Sequence, residues 1–301
     1  MQGVAVERLQ LPFLLEPPRQ VRVGQGAPGE RQQVRVAVRQ HLTTMSHQSY
    51  GPDVGVPRIL DLLDDLEVPA TFFVPGWVAE QRPGLAASIV ERGHEVAHHS
   101  YSHRPPTSLT AAEERNDFER ALAVFESQGI TVSGHRAALW EASPQTPGLV
   151  AEHGLLYDSS LMGDDRPYLL SAGGVVELPV HWSLDDWEQY AYLPAPQIGS
   201  VIESPRKVLE LWKAELDGMR FYHCLFTLCL HPFLSGRPGR LLALRELIEY
   251  AQSCGDVEFA RCRDLAVRAS GDASVAVRPV SPVVVDPSVY PCASSSASSA
   301  R

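Results

Sequence analysis

The sequence predicts an α/β fold with mostly parallel strands, arranged either as a barrel or as an open doubly wound sheet. Two observations carry this. Between residues 52 and 268, strand-like and helix-like segments alternate with short connections, and that order implies parallel pairing. A chain of 301 residues with 44% hydrophobic and 21% charged residues can also bury one large core, or two modest ones, as an ordinary globular protein.

The elements follow in order. Residues 56–66 place apolar side chains at helical spacing, with Pro57 early in the segment. Residues 70–74 (Ala-Thr-Phe-Phe-Val) are β-rich and stop at Pro75-Gly76. Residues 83–92 read as a helix halted by Gly93, and the strand-like 94–98 follows. A long helix is expected over 111–128, with Thr110 as N-cap and Glu113 three residues later at capping-box spacing. Further strands are expected at 130–133, 155–158, 175–180, 224–230 and 257–260, with helices near 144–153, 205–219 and 237–253. In a sheet of this kind, chemistry belongs at the carboxyl ends of the strands.

Both flanks differ from this middle part. Residues 1–45 hold six Arg against three Glu, a net +3 in a chain of net −10, with the breaker run 24–29; only 34–38 alternates like a strand. An atypical arm, disordered or loosely attached, is expected there. Residues 269–301 hold nine Ser and four Pro and are expected to be a disordered tail. The acidic balance argues against a nucleic-acid partner. No apolar run approaches membrane-spanning length and no basic start precedes an apolar stretch, so a cytoplasmic protein without a membrane partner is expected. Five cysteines without paired spacing read as reduced thiols.

The strand ends hold the candidate residues. His99 and His103 stand four apart behind 94–98, and two imidazoles converging from one side can hold a divalent cation with positions left open to water and substrate. A third ligand, a carboxylate, would have to come from elsewhere. His94 and His98 read as structural. Arg136 follows the expected strand 130–133 and either orients a carboxylate or forms a structural ion pair; Trp140 is a pocket wall or a core residue. The Asp residues at 158, 164 and 165 line a site or cap turns. Asp185, Asp186 and Trp187 suit binding of a polar ring, or form a solvated loop. His231, braced by Pro232 at another strand end, is placed as a general acid near neutral pH, or is a core histidine.

These blocks, in this order, resemble the polysaccharide deacetylase family (NodB homology, carbohydrate esterase family 4) from about residue 51 to 268. The similarity is greatest to its branch of allantoinase-like and peptidoglycan-deacetylase-like cytoplasmic proteins. Residues 58–63 and 69–76 resemble its first helix and second strand. Gly93-His94-Glu95-Val96-Ala97-His98-His99-Ser100-Tyr101-Ser102-His103 resembles its metal-histidine motif, and His135-Arg136 with Trp140 its arginine motif. Residues 157–165, 184–187 and 231–238 resemble three later blocks. The resemblance implies a distorted (β/α) barrel holding one divalent metal ion, commonly zinc. It implies His99 and His103 as metal ligands, His231 as the acid that protonates the leaving group, and Arg136 as the residue that steadies a catalytic base. The expected activity is metal-dependent hydrolysis of a non-peptide carbon–nitrogen bond, either N-deacetylation of an acetamido sugar or opening of a cyclic amide. A small-molecule or carbohydrate substrate and a homo-oligomer are further expectations of the resemblance.

The chain departs from the family in one place. The family opens with a strand ending in a Phe-Asp-x-Asp type of motif, whereas here the first Asp is Asp53, at the start of a helix. The first strand of the barrel is therefore doubtful in the sequence, and the basic composition before it suggests an altered reading frame. Residues 34–38 fill that slot sterically but bring no carboxylate. A poorly active hydrolase, or a ligand-binding relative without turnover, is the expected consequence.

Overall fold

The computed structural model describes residues 2–7 (as backbone), 42–194, 197–199 and 201–280. Its main sheet has ten strands: β1 (Gln2–Glu7), β2 (Thr71–Val74), β3 (Glu95–His98), β4 (Gly134–His135), β5 (Tyr157–Asp158), β6 (Tyr168–Leu170), β7 (Val176–Glu177), β10 (Phe226–Cys229), β11 (Val257–Phe259) and β12 (Val277–Arg278). A separate antiparallel pair is formed by β8 (Leu193–Pro194) and β9 (Gln197–Ile198). The order is β10-β1-β2-β3-β4-β5-β7-β6-β12, with β11 also pairing β1. Pairing is parallel throughout except between β6 and β7. Beyond β7 the chain returns to the other side of the sheet, where Asp185 forms a single parallel bridge with Cys229. That bridge turns the curved sheet into a nearly closed, distorted (β/α) barrel, as the sequence led us to expect.

Register explains which residues face which side. Val74, His98, His135, Asp158 and Glu177 are successive partners in one row across β2, β3, β4, β5 and β7. Side chains alternate along a strand, so this row faces one way and its neighbours in sequence face the other. The row faces the outer helices: the His98 ring lies 4.1 Å from Phe118 on the helix Ala111–Ser127. On the inner face Phe73, Ala97, Tyr157 and Cys262 form a small buried core. The larger core, with Phe72, Val74, Val96, Phe125 and Trp212, fills the space between sheet and helices.

Local signals account for the helices. Thr110 and Glu113 form the expected capping box, Thr110 accepting from the Glu113 N–H while the Glu113 carboxylate accepts from the Thr110 N–H. The helices Val56–Asp65, Leu85–Glu91, Thr146–Glu152, Pro205–Tyr222 and Pro238–Ser253 all lie where helical spacing predicted them.

Several details correct the sequence reading. The strand expected at 130–133 is instead β4 at Gly134–His135, because Ile130 and Val132 pack against the cores from an irregular connection. In the expected arm, residues 2–7 are a strand between β10 and β2, and β1 ends at Glu7, whose backbone is in register with Thr71 and Cys229. The alternative strand at 34–38 lies outside the described residues. The tail was expected to be disordered from 269, but a helix runs to Ser270 and β12 pairs with β6 at 277–278. Arg278 fixes this strand by pairing with Asp164, which a composition argument could not anticipate. Residues 281–301 lie outside the described residues.

Candidate active site

All strands from β10 to β7 run in parallel, so His99, Arg136, Ser159 and His231 emerge at the same edge of the sheet. They form two adjoining groups.

The first group gathers behind β3, β4 and β5. His99 and His103 are both buried, with ring centroids 4.7 Å apart. The turn between them needs left-handed backbone at Ser100 and His103 (φ 56° at both). His99 Nδ1 donates to the Arg136 carbonyl at 2.6 Å. A carbonyl can only accept, so the proton sits on Nδ1 and the lone pair of the neutral ring is on Nε2, the support a metal-ligating imidazole commonly has. Arg136 is fully buried: its Nε donates to the Ser159 carbonyl at 2.6 Å, another nitrogen donates to the Ser159 hydroxyl, and the guanidinium lies 4.2 Å from the Phe73 ring centre. Burial pushes the Arg136 guanidinium below its ordinary range.

The second group gathers behind β10 and β7. Asp186 is fully buried and points at His231. Its oxygens accept from the His231 N–H at 2.9 and 3.0 Å and from Nδ1 at 2.6 Å, and the Ser235 hydroxyl donates to it as well. Burial pushes the Asp186 carboxyl up, and the neighbouring His231 pulls it back down. Asp185 caps the short helix Asp186–Tyr190 by accepting from the Trp187 N–H at 2.9 Å, and its Oδ1 lies 3.5 Å from His231 Nδ1. The Trp187 ring stands 5.4 Å from the His231 ring. Trp140 packs with Val180 and Cys229, and its ring lies 4.8 Å from that of half-exposed Trp182. Trp140, four residues after Arg136 in the chain, thereby reaches the second group.

These placements refine the sequence reading. Asp186, expected to meet substrate, is occupied by His231, because a buried carboxylate must spend its oxygens on nearby donors. Asp164 caps a turn by accepting from the Asp165 and Arg166 N–H groups. His98 is structural: Nε2 donates to the Phe118 carbonyl, Nδ1 faces His135 Nδ1 at 2.7 Å, and burial lowers its pKa to about 4. Sequence reasoning missed Cys229. It was read as an ordinary thiol, yet it stands two residues before His231 at a strand end, a spacing that puts both side chains on one face. Among the described residues, the one set of three groups close enough to share a cation is Asp185, Cys229 and His231.

The fold and these groups define a barrel hydrolase with paired imidazoles at the strand ends, and the comparisons with known proteins agree. The polysaccharide deacetylase family model matches residues 49–154. A crystal structure from Mycobacterium smegmatis, assigned as a polysaccharide deacetylase, is 40% identical with a TM-score of 0.78, covering 94% of this chain and 96% of that one. The PuuE allantoinase structure is 27% identical, with a TM-score of 0.69 over 77% of this chain and 78% of that one. The peptidoglycan deacetylase of Helicobacter pylori is 28% identical over 251 residues, 74% of this chain and 86% of that protein. The chain belongs to the polysaccharide deacetylase family, metal-dependent hydrolases of carbon–nitrogen bonds other than peptide bonds. No helix among the described residues is long and apolar enough to cross a membrane.

Proposed function

We propose that this protein removes the acetyl group from an acetamido sugar of a glycan fragment, using one divalent cation, zinc by preference. The observation that carries this reading is the paired buried imidazoles of His99 and His103, with His99 held in the ligating tautomer by the Arg136 carbonyl. These two nitrogen donors fit a zinc-class ion, and His99 and His103 would hold it. Such an ion, when bound, polarises the amide carbonyl and supplies an activated water. His231, kept in orientation by Asp186, gives a proton to the departing amine. Arg136 fixes Ser159 and the strand ends around the reacting amide. Trp140, Trp187 and Asp185 bound the sugar site, with Trp182 at its rim. The relatives named as deacetylases of peptidoglycan and of chitooligosaccharide favour this substrate class. A cytoplasmic location belongs to the same reading and is checked by cell fractionation.

The test is acetate release from N-acetylated chitooligosaccharides and peptidoglycan fragments with added zinc, set beside ring opening of allantoin. Acetate release that is lost in His99→Ala and His231→Ala supports the proposal. Allantoin turnover without acetate release reassigns the substrate. A second reading, a carbohydrate binder without turnover, is favoured by the lack of any Asp before Asp53. It predicts sugar binding that survives chelation, with neither product formed.

A further inference from the structure

We propose that Asp185, Cys229 and His231 form a second cation site, distinct from the His99–His103 pair and selective for thiophilic divalent ions of the zinc class. One carboxylate oxygen, the Cys229 sulfur and one imidazole nitrogen lie within 4.8 Å of one another, and all three side chains are buried. Tetrahedral zinc needs its ligand atoms roughly 3–4 Å apart, given bonds of about 2.0–2.3 Å. Closing the set around an ion requires the widest separation to shrink by about 1 Å. A thiolate and a carboxylate together neutralise a divalent charge, which matters in a site with almost no access to water. The mixture of sulfur, nitrogen and oxygen donors favours zinc over magnesium or calcium.

The backbone already fixes the ligands. Asp185 and Cys229 are joined by their parallel bridge, and the His231 N–H is tied to Asp186. Nδ1 of the imidazole is committed to Asp186, so Nε2 is the nitrogen an ion would take, with Asp186 giving the carboxylate support that metal-bound histidines carry. An ion here would engage the same imidazole that the proposed function uses to deliver a proton, so excess zinc would inhibit the enzyme. That consequence rests on the proposed function; the binding site itself does not.

The test is titration of the metal-free full-length protein with cobalt(II), reading the thiolate-to-cobalt charge-transfer absorption, which reports sulfur ligation and needs no activity. The band is expected in the wild type and in His99→Ala, and absent in Cys229→Ser with the circular dichroism spectrum retained. If Cys229→Ser does not fold, Asp185→Asn is measured instead, and the expected result is a band whose cobalt affinity is lowered at least about tenfold. No band in the wild type, a band that persists in folded Cys229→Ser, or unchanged affinity in Asp185→Asn would overturn the proposal. Because the band arises only from a thiolate, its failure leaves the His99–His103 reading intact.

Discussion

Asp186 shows how much can depend on one side chain. It accepts from the backbone and the ring of His231 and from the Ser235 hydroxyl, all out of contact with water. An amide in its place keeps the shape but loses the charge that favours the Nδ1–H tautomer. Asp186→Asn is therefore expected to lower kcat by about 10²–10³-fold, within the usual range for acid–base groups, with KM nearly unchanged. Steady-state kinetics on the deacetylation substrate check this, and a change confined to KM would refute the orienting role. Asp186 was also hard to read in the sequence. Its partner lies 45 residues away, and nothing local separates it from Asp185 beside it.

At the scale of elements, β5 and β7 share a second buried pair of acids. Ser160 donates to Asp158, and the Ser160 and Leu161 N–H groups donate to Glu177. Burial raises the Asp158 carboxyl to about 6 and pushes Glu177 well above its ordinary range, with Asp158 beside it adding to that. The folded protein thus holds protons that the unfolded chain releases near pH 4, where ordinary carboxyls titrate. Stability is fully present below that pH and falls as pH rises through 4 to 6 and beyond. Glu177→Gln keeps the accepting oxygen and supplies a permanent donor to Asp158. It is expected to flatten this slope and to stabilise the protein at pH 8 by on the order of 1 kcal/mol, read from urea unfolding across pH. On the neighbouring β4, Gly134 leaves room for the Tyr157 ring of β5, 2.1 Å from where a Cβ would stand. Gly134→Ala is expected to cost about 1–3 kcal/mol or more by overpacking, seen as a lower Tm. The long capped helix was legible because Thr110, Glu113 and the apolar spacing are all local signals. The two-residue strands β4, β5 and β7 were placed only approximately, since their pairing partners set their limits. The row of buried polar residues through His135, Asp158 and Glu177 could not be foreseen, because register is a property of several strands at once.

For the whole molecule, β1 is central. It pairs with β10 on one side and, on the other, with β11 along its first residues and β2 at its end, so its loss would leave unpaired edges inside the sheet. Deletion of residues 1–7 is expected to broaden the thermal transition and promote aggregation, measured by calorimetry and light scattering; an unchanged Tm would show that β1 is dispensable. The family and its barrel were readable from the strand-end blocks, whereas this strand was not, although Val4 and Val6 alternate. Six residues in a stretch of unusual composition give too short a pattern to recognise.

The barrel is also unevenly stitched. Most neighbouring strands share two or more register pairs, and β1 with β2 and β3 with β4 meet at one; the return from β7 to β10 is fastened by a lone bridge that belongs to no strand of the sheet on the Asp185 side, Asp185 with Cys229. A ring held this way has a seam, and thermal opening should begin there. Amide hydrogens around 184–187 are therefore expected to exchange faster than those of β2 and β3, read by mass spectrometry. A cation clasped by the two residues of that stitch would act as a rivet, so that metal supply would set how readily the mouth of the barrel gapes.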